Sequence, residues 1–314
     1  MIPAMIKLSV VVPVYNEEES LRELVQKITA SVQTLALRDY EIIFVDDGSR
    51  DGSFAVLREL AAADPHVKAL RFRLNYGKAA ALYAAFQLAR GEFLVTMDAD
   101  LQDDPEEIGP LLAKLQVGFD LVSGWKKKRR DPLEKRLPSK LYNFVTSLVA
   151  GVRLHDFNCG LKAYRRDVYQ TLRFHGEMHR MLPVLAHWNR FRVTEIPVQH
   201  HPRKFGRSKY GFDRYYKGFL DLITITFLQR YTKRPLHIFG LIGLLVGLLG
   251  AVPLGYFGYQ WLATGQLHVR PLLVLGLGAI LIGLQILFFG LLAELITHTG
   301  ARNDYQVSEK LNLE

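Results

Sequence analysis

Two carboxylates one residue apart dominate the chemistry this chain can do. In Val95-Thr-Met-Asp98-Ala-Asp100-Leu-Gln102-Asp103-Asp104-Pro105 an apolar run, Phe93 to Met97, predicts a buried strand. Alternate residues of a strand share a face. Where the strand gives way to a loop, Asp98 and Asp100 can turn oxygens toward one hard cation. Mg²⁺ or Mn²⁺ prefers such ligands and shares its coordination shell with bound phosphates. The same residues also fit a solvated acidic turn capping a helix that starts at Pro105. The rest of the chain decides between the two.

Strands and helices alternate ahead of this segment. Leu8–Pro13, Tyr40–Val45, Val67–Phe72, Glu92–Met97 and Phe119–Ser123 read as strands. Glu17–Leu35, Ser53–Ala62, Gly77–Arg90 and Pro105–Gln116 carry helical periodicity. Such alternation predicts an α/β fold with a mostly parallel sheet flanked by helices. Ligands of such sheets bind beyond the carboxyl ends of the strands. The loops there are Tyr15–Glu17, Asp46–Gly52, Asn75–Lys78 and Asp98–Gln102, all rich in polar residues or glycine. Beyond Leu154 the regularity fades, with one further strand, Val193–Gln199, expected near a sheet edge.

The chain has 314 residues, a net charge of +9 and a mean hydropathy of +0.06. The apolar excess is local. Leu236–Leu262 and Pro271–Ala293 are almost uncharged, and each is long enough to cross a bilayer, which takes about 20 apolar residues. A short link joins them, so they read as a transmembrane hairpin. Lys233 and Arg234 before the first span place both flanks in the cytoplasm by the positive-inside rule. The expected organisation is a catalytic domain over 1–204, a juxtamembrane interfacial segment over 205–235, the hairpin over 236–295 and a cytoplasmic tail over 296–314. The plasma (inner) membrane is the expected location. Met1–Met5 is too short an apolar start for a signal peptide. The single cysteine, Cys159, excludes an intrachain disulfide and reads as an apolar filler.

Basic residues gather at Lys126–Arg130, Lys135-Arg136, Arg165-Arg166 and Arg203–Lys209. Nucleic acid attracts such patches, but it explains neither the acids nor the spans. An anionic membrane surface accounts for them better. The aromatic and basic mixture of Tyr210–Tyr231 suits helices lying in the interface. His155 reads as structural, and His200-His201 as surface or phosphate contacts.

The motifs, taken in order, resemble family 2 glycosyltransferases of GT-A (Rossmann-like) fold, and within them the polyprenyl-phosphate sugar transferases of the dolichol-phosphate mannose synthase group. They are Val12-Pro13-Val14-Tyr15-Asn16-Glu17, Val45-Asp46-Asp47-Gly48-Ser49-x-Asp51-Gly52, Asn75-Tyr76-Gly77-Lys78, Asp98-Ala99-Asp100-Leu101-Gln102-Asp103, Asp156–Arg165 and Gly206-Arg207-Ser208-Lys209-Tyr210. The resemblance implies that Pro13, Tyr15 and Glu17 line a nucleoside pocket. It implies that Asp47 accepts hydrogen bonds from the base and that Lys78 sits near the nucleotide. Asp98 would hold the ribose or metal region, Asp100 the metal, with Gln102 in support. Asp156 would face the acceptor as a catalytic residue beside Asp100. Arg203, Arg207, Ser208 and Lys209 would meet the lipid phosphate or the departing diphosphate. A nucleotide-sugar donor, a polyprenyl phosphate acceptor, the bilayer and Mg²⁺ or Mn²⁺ are the implied partners, and a homo-oligomer is compatible with them.

Two other readings compete. A processive polysaccharide synthase, or another transferase of the family acting on a different acceptor, shares the nucleotide-sugar half. Such synthases carry Gln-x-x-Arg-Trp near the membrane, a spacing that Gln229-Arg230-Tyr231 does not match. A membrane-tethered scaffold on a degenerate fold conflicts with intact Lys78, Asp98, Asp100 and Asp156.

Overall fold

The computed structural model describes residues 7–127, 143, 145–174, 176, 178–202, 204, 235–266 and 270–300. The chain divides into two compact units, Met1–Leu222 and Ile223–Glu314.

The first unit is built on Leu8–Val14 (β1), Tyr40–Asp46 (β2), Val67–Arg71 (β3), Phe93–Thr96 (β4), Leu121–Trp125 (β5), Lys162–Arg165 (β6) and Val193–Pro197 (β7). They form one sheet in the order β3-β2-β1-β4-β6-β5-β7. β1 pairs in parallel with β2 and β4, β2 with β3, and β5 with β7. Only β6 runs against its neighbours. Helices Leu21–Thr34 (α1), Ser53–Ala63 (α2), Lys78–Leu88 (α3), Ile108–Gln116 (α4), Arg166–Thr171 (α5) and Leu182–Trp188 (α6) flank the sheet. This is the mixed, mostly parallel α/β sheet expected of the GT-A class.

β1 and β2 bury nearly every residue, as parallel strands covered on both faces do. Val10, Val12, Ile42 and Phe44 form the centre of the core with Leu21, Leu24 and Ile28 of α1. Each such side chain contributes roughly 1.5–3 kcal/mol by leaving water. The packing fixes the register Val10↔Ile42 and Val12↔Phe44, and so the height at which each loop leaves the sheet.

Several boundaries differ from the sequence reading. The first helix starts at Leu21 rather than Glu17, because the Ser53 hydroxyl accepts the Glu17 amide at 2.9 Å and holds it in the preceding turn. Pro105–Glu107 is a 3₁₀ turn ahead of α4, with Asp104 accepting the Glu106 amide at 3.0 Å. β5 begins two residues late, at Leu121, where its pairing with Tyr164 of β6 and Val193 of β7 starts. The unforeseen strand is β6. Its four residues, Lys-Ala-Tyr-Arg, begin and end on charges, which hides the apolar run.

The second unit holds two long apolar helices, Pro235–Thr264 (α7) and Pro271–Gly300 (α8). Their most apolar windows have mean hydropathies of 2.3 and 2.6. They pack through glycines. A Cβ on Gly243 would lie 2.5 Å from the Gly283 carbonyl oxygen, and one on Gly250 would lie 2.4 Å from that of Gly276. Small residues of this kind allow backbones to touch, which replaces hydrophobic pairing where the surroundings are themselves apolar. The Leu236 amide donates to Glu294 at 3.2 Å, closing the pair at one end. Both helices are long and apolar enough to cross a membrane.

Candidate active site

The sheet topology sets the location. The carboxyl ends of β1, β2, β3, β4, β5 and β7 fall on one edge, together with the amino end of β6. Tyr15, Asp47, Asn75, Asp98, Lys126 and the Asp156–Leu161 loop therefore share that edge, although nearly 150 residues separate the first from the last.

The acid loop is held from within. Leu101 adopts φ +61°, a left-handed conformation rare for a branched apolar residue. Its side chain is buried in the core, and the Asp100 carboxylate accepts the Gln102 amide at 3.2 Å. These contacts turn the chain sharply and leave Asp100 buried beside Asp98. The Gln102 side chain donates to the His201 carbonyl oxygen at 3.4 Å, so only its backbone reaches Asp100.

Asp98 pairs with Lys78, the first residue of α3. Burial would raise its carboxyl pKa. The charges of Lys78 and Lys126 outweigh that and hold it well below the usual carboxylate range. Asp103 is buried and accepts the Asp98 amide at 3.4 Å, while its other oxygen lies 3.0 Å from Lys126 Nζ. Burial works against the charge on Lys126, but Asp103 and Asp98 keep it protonated, above the ordinary lysine range. Lys162, at the start of β6, is buried and donates to the Cys159 carbonyl. Burial lowers its pKa, and it feels the charges of Lys78, Asp156 and Asp98. Acids and lysines thus alternate across the sheet edge from Asp103 to Asp156.

Asp156 is 1% exposed and accepts the Asn158 amide at 3.0 Å, an Asx turn that curls the loop toward Gly160. Gly160 lies directly against Asp98, and a Cβ there would stand 2.7 Å from Asp98 Oδ2. The loop carrying Asp156 therefore touches the acid loop. His179 lies over α3 in the 3₁₀ turn Met178–Met181. Burial, then Lys78 and Arg180, hold its ring neutral, well below the usual histidine range.

On the other side of β1, a cleft of about 540 Å³ is lined by Tyr15, Gly48, Ser49, Arg71, Leu74 and Asn75. Asp47 follows β2 and directly precedes the lining residue Gly48. Its carboxylate accepts the amides of Tyr76 at 2.7 Å and Gly77 at 2.9 Å. Burial raises its pKa despite those two bonds. Asp47 thereby ties β2 to the loop before Lys78. Pro13 lies on β1 one residue short of the edge, opposite Val45. Glu17 lies two residues beyond Tyr15, its amide donating to the Ser53 hydroxyl at 2.9 Å. Arg203, Arg207, Ser208, Lys209 and the segment 210–231 lie outside the described residues.

Sequence reasoning left four residues here without a role. Lys126 was expected to belong to a solvated or membrane-facing basic run. The strand-end rule that found Asp98 also finds Lys126, one residue past β5. Lys162 sits inside a quoted motif, but only β6 sets it opposite Thr96, at the end of the strand that leads to Asp98. His179, and Glu195 of β7, whose carboxylate accepts the His155 amide beside Asp156, lie in stretches with no chemical spacing to notice. Cys159 is buried and unpaired, as a filler would be.

Asp98 and Asp100 offer hard carboxylate oxygens, the donor chemistry a divalent cation takes. Among the described residues no three His, Cys, Asp or Glu side chains converge as a complete cage. Two carboxylates fit a cation that draws its remaining ligands from substrate phosphate and water.

Comparisons agree with this architecture. The family model described as glycosyl transferase family 2 matches residues 9–173. A dodecaprenyl-phosphate galacturonate synthase of Rhizobium johnstonii is 37% identical over 95% of this chain and 90% of its own length. An undecaprenyl-phosphate 4-deoxy-4-formamido-L-arabinose transferase of Klebsiella pneumoniae is 40% identical over 91% of this chain and 88% of its own. Among solved structures, glucosyl-3-phosphoglycerate synthase of Mycobacterium tuberculosis, in complex with Mn²⁺, uridine diphosphate and phosphoglyceric acid, superposes with a TM-score of 0.54. It covers 71% of this chain and 78% of its own, at 20% identity, and so shares the fold. With a family model matched over residues 9–173 and relatives matched along nearly their whole length, the chain belongs to glycosyl transferase family 2.

Proposed function

We propose that this chain is a membrane-anchored inverting transferase that moves one sugar from a nucleotide-diphosphate sugar to a polyprenyl phosphate. The observation that carries the reading is the alternation of Asp98, Asp100, Asp103 and Asp156 with Lys78, Lys126 and Lys162 along one sheet edge. Relatives named for undecaprenyl and dodecaprenyl phosphate supply the acceptor class. The paired apolar helices supply an anchor, with the catalytic unit on the cytoplasmic face of the plasma (inner) membrane.

The nucleoside takes the cleft lined by Tyr15 and Asn75, and Pro13, Glu17 and Asp47 serve its pocket from the adjoining chain. Lys78 lies where the diphosphate leaves that cleft, already paired with Asp98. Asp98 and Asp100, with Gln102 nearby, would hold Mg²⁺ or Mn²⁺, which would supply positive charge against the departing diphosphate. The acceptor phosphomonoester has a second pKa near ~6, so at pH 7 it is largely dianionic and needs no strong base. The task of the site is to hold two anions together. The lysines at the edge do this by fixed charge, joined by Arg203, Arg207, Ser208 and Lys209 from the basic loop. Asp156 faces the sugar from the acceptor side, where it orients the incoming phosphate and stabilises positive charge on the ring carbon. Attack in line with the departing diphosphate inverts the anomeric configuration.

A donor screen tests the reading. Purified chain, Mg²⁺ or Mn²⁺ and undecaprenyl phosphate are incubated with UDP-glucose, UDP-N-acetylglucosamine, UDP-galactose, GDP-mannose, UDP-galacturonate and UDP-4-deoxy-4-formamido-L-arabinose, and lipid-linked sugar is read by mass. One donor giving a single-sugar lipid, lost with Asp100→Ala, is the expected result. Polymer, or transfer to a non-lipid acceptor alone, overturns the acceptor assignment.

A further inference from the structure

The loop that presents Asp156 is clamped from the edge of the sheet. Glu195 lies on β7, opposite Ser123 of β5. Its carboxylate accepts the backbone N–H of His155 with both oxygens, at 3.0 and 2.8 Å, and pairs with Nδ1 of the same residue. Asn143 Nδ2 donates to the His155 carbonyl oxygen at 2.8 Å. The His155 ring stacks on Trp125 at a centroid distance of 4.1 Å and an angle of 16°. Every polar group of the His155 backbone is therefore taken, one by β7 and one by Asn143.

The consequence for Asp156 is direct. The N–H of His155 belongs to the planar peptide before it and its C=O to the planar peptide that joins it to Asp156. Glu195 holds the first plane and Asn143 the second, so together they fix the main chain from which Asp156 departs. The Asn158 amide then sets the carboxylate at the other end. A main-chain amide bonded to a carboxylate is a strong, charge-assisted contact. The Glu195 side chain is 13% exposed, while the His155 side chain is 65% exposed. Burying a carboxylate to hold a largely exposed residue yields little for the core. It makes sense if the object held is the next residue, which is 1% exposed.

We propose that Glu195 is a positioning residue for sugar transfer, acting through the His155 main chain to aim Asp156. The proposal rests on the role given to Asp156 above. Misplacement of a reacting group by about 1 Å costs on the order of 100-fold in rate, so a clamp of this kind is visible in kcat.

The test uses the full chain, the productive donor and undecaprenyl phosphate. Glu195→Ala, Glu195→Gln, His155→Ala, Asp156→Asn and the Asp156→Asn/Glu195→Ala pair are compared for kcat, donor KM and unfolding midpoint. Glu195→Ala is expected to lower kcat by about 10- to 100-fold, with donor KM within about 2-fold. Glu195→Gln keeps an acceptor oxygen for the His155 amide and recovers most of the loss. His155→Ala keeps its own amide and loses less than Glu195→Ala. In the Asp156→Asn background Glu195→Ala adds little, because residues acting as a unit are not additive. Wild-type kcat in Glu195→Ala, equal losses for Ala and Gln, or additive losses in the pair overturn the proposal. Wild-type kcat in Asp156→Asn overturns the role of Asp156 itself, a separate result. If Asp156→Asn leaves no measurable transfer, the glutamine rescue and the kcat–KM split decide.

Discussion

Lys126 Nζ stands 3.0 Å from Asp103 Oδ1, and the carboxylate it meets has no exposed side-chain surface. The opposite oxygen of Asp103 accepts the Asp98 amide. A lysine at the end of β5 therefore stabilises the carboxylate that shapes the acid loop after β4. Removing it leaves a buried charge without its counter-ion.

Lys126→Met is accordingly expected to destabilise the folded chain by about 3 kcal/mol. Asp103→Asn added to Lys126→Met restores part of that, since the uncompensated charge disappears. Denaturant unfolding of the three variants checks both. An unchanged midpoint for Lys126→Met would mean the lysine serves only the bound phosphates.

Gly160 meets Asp98 more closely than any side chain allows. A Cβ would lie 2.7 Å from Oδ2 and 2.8 Å from Cγ. Gly160→Ala must push Asp98 away from Lys78 or swing the Asp156 loop outward. Transfer is expected to fall by about 100-fold, the cost of displacing a reacting group by roughly 1 Å. The circular dichroism spectrum stays native. Full activity in Gly160→Ala would show that the two loops need not touch during turnover.

These contacts also mark how far the sequence was legible. The parallel core strands announce themselves, because β1 and β2 are continuous Val/Ile runs closed by Pro, Asp and Gly. Asp98 and Asp100 follow from the same logic, since a strand end on a known edge places its next residues. β6 escaped because Lys162 and Arg165 break the apolar pattern. Lys162 is buried against a carbonyl only three residues back, that of Cys159, while half-buried Arg165 finds the Phe119 and Leu115 carbonyls, far away in sequence. Without β6 there was no reason to bring the Asp156 loop against Asp98. Only the resemblance to a family did so. Glu195 was illegible for a similar reason, since both its contacts, the amide and the ring of His155, lie 40 residues away in sequence.

Gly48 supplies a third test. It has φ +72°, and a Cβ would meet the Leu74 carbonyl carbon at 2.7 Å. Gly48→Ala is thus strained in backbone and blocked in space, at a cost of about 1–3 kcal/mol. The strain falls on the loop that lines the cleft with Asn75. Donor KM is expected to rise more than kcat falls, because the proposed function gives that cleft the unreactive part of the donor. A change in kcat alone would move the nucleoside elsewhere.

Cys159 gives a readout of the same region that needs no substrate. Burial pushes its thiol up to about 12, against about 8.5 in an unfolded chain. At pH 8 roughly one molecule in 10⁴ then carries the thiolate, so alkylation of the folded chain is slow and becomes ordinary after denaturation. The sign of the stability effect follows from proton counting. An acid whose folded pKa is raised holds its proton longer in the folded state. Its contribution is complete below about pH 8.5 and is lost as pH rises toward the folded value, by up to about 1.4 kcal/mol per pH unit. Between about pH 8.5 and 10, before unfolded tyrosines titrate, the unfolding midpoint of the wild type should fall more steeply than that of Cys159→Ala. Parallel slopes, or rapid alkylation of the native chain at pH 8, would mean that the Asp156–Leu161 loop opens to water and that Gly160 is not held against Asp98.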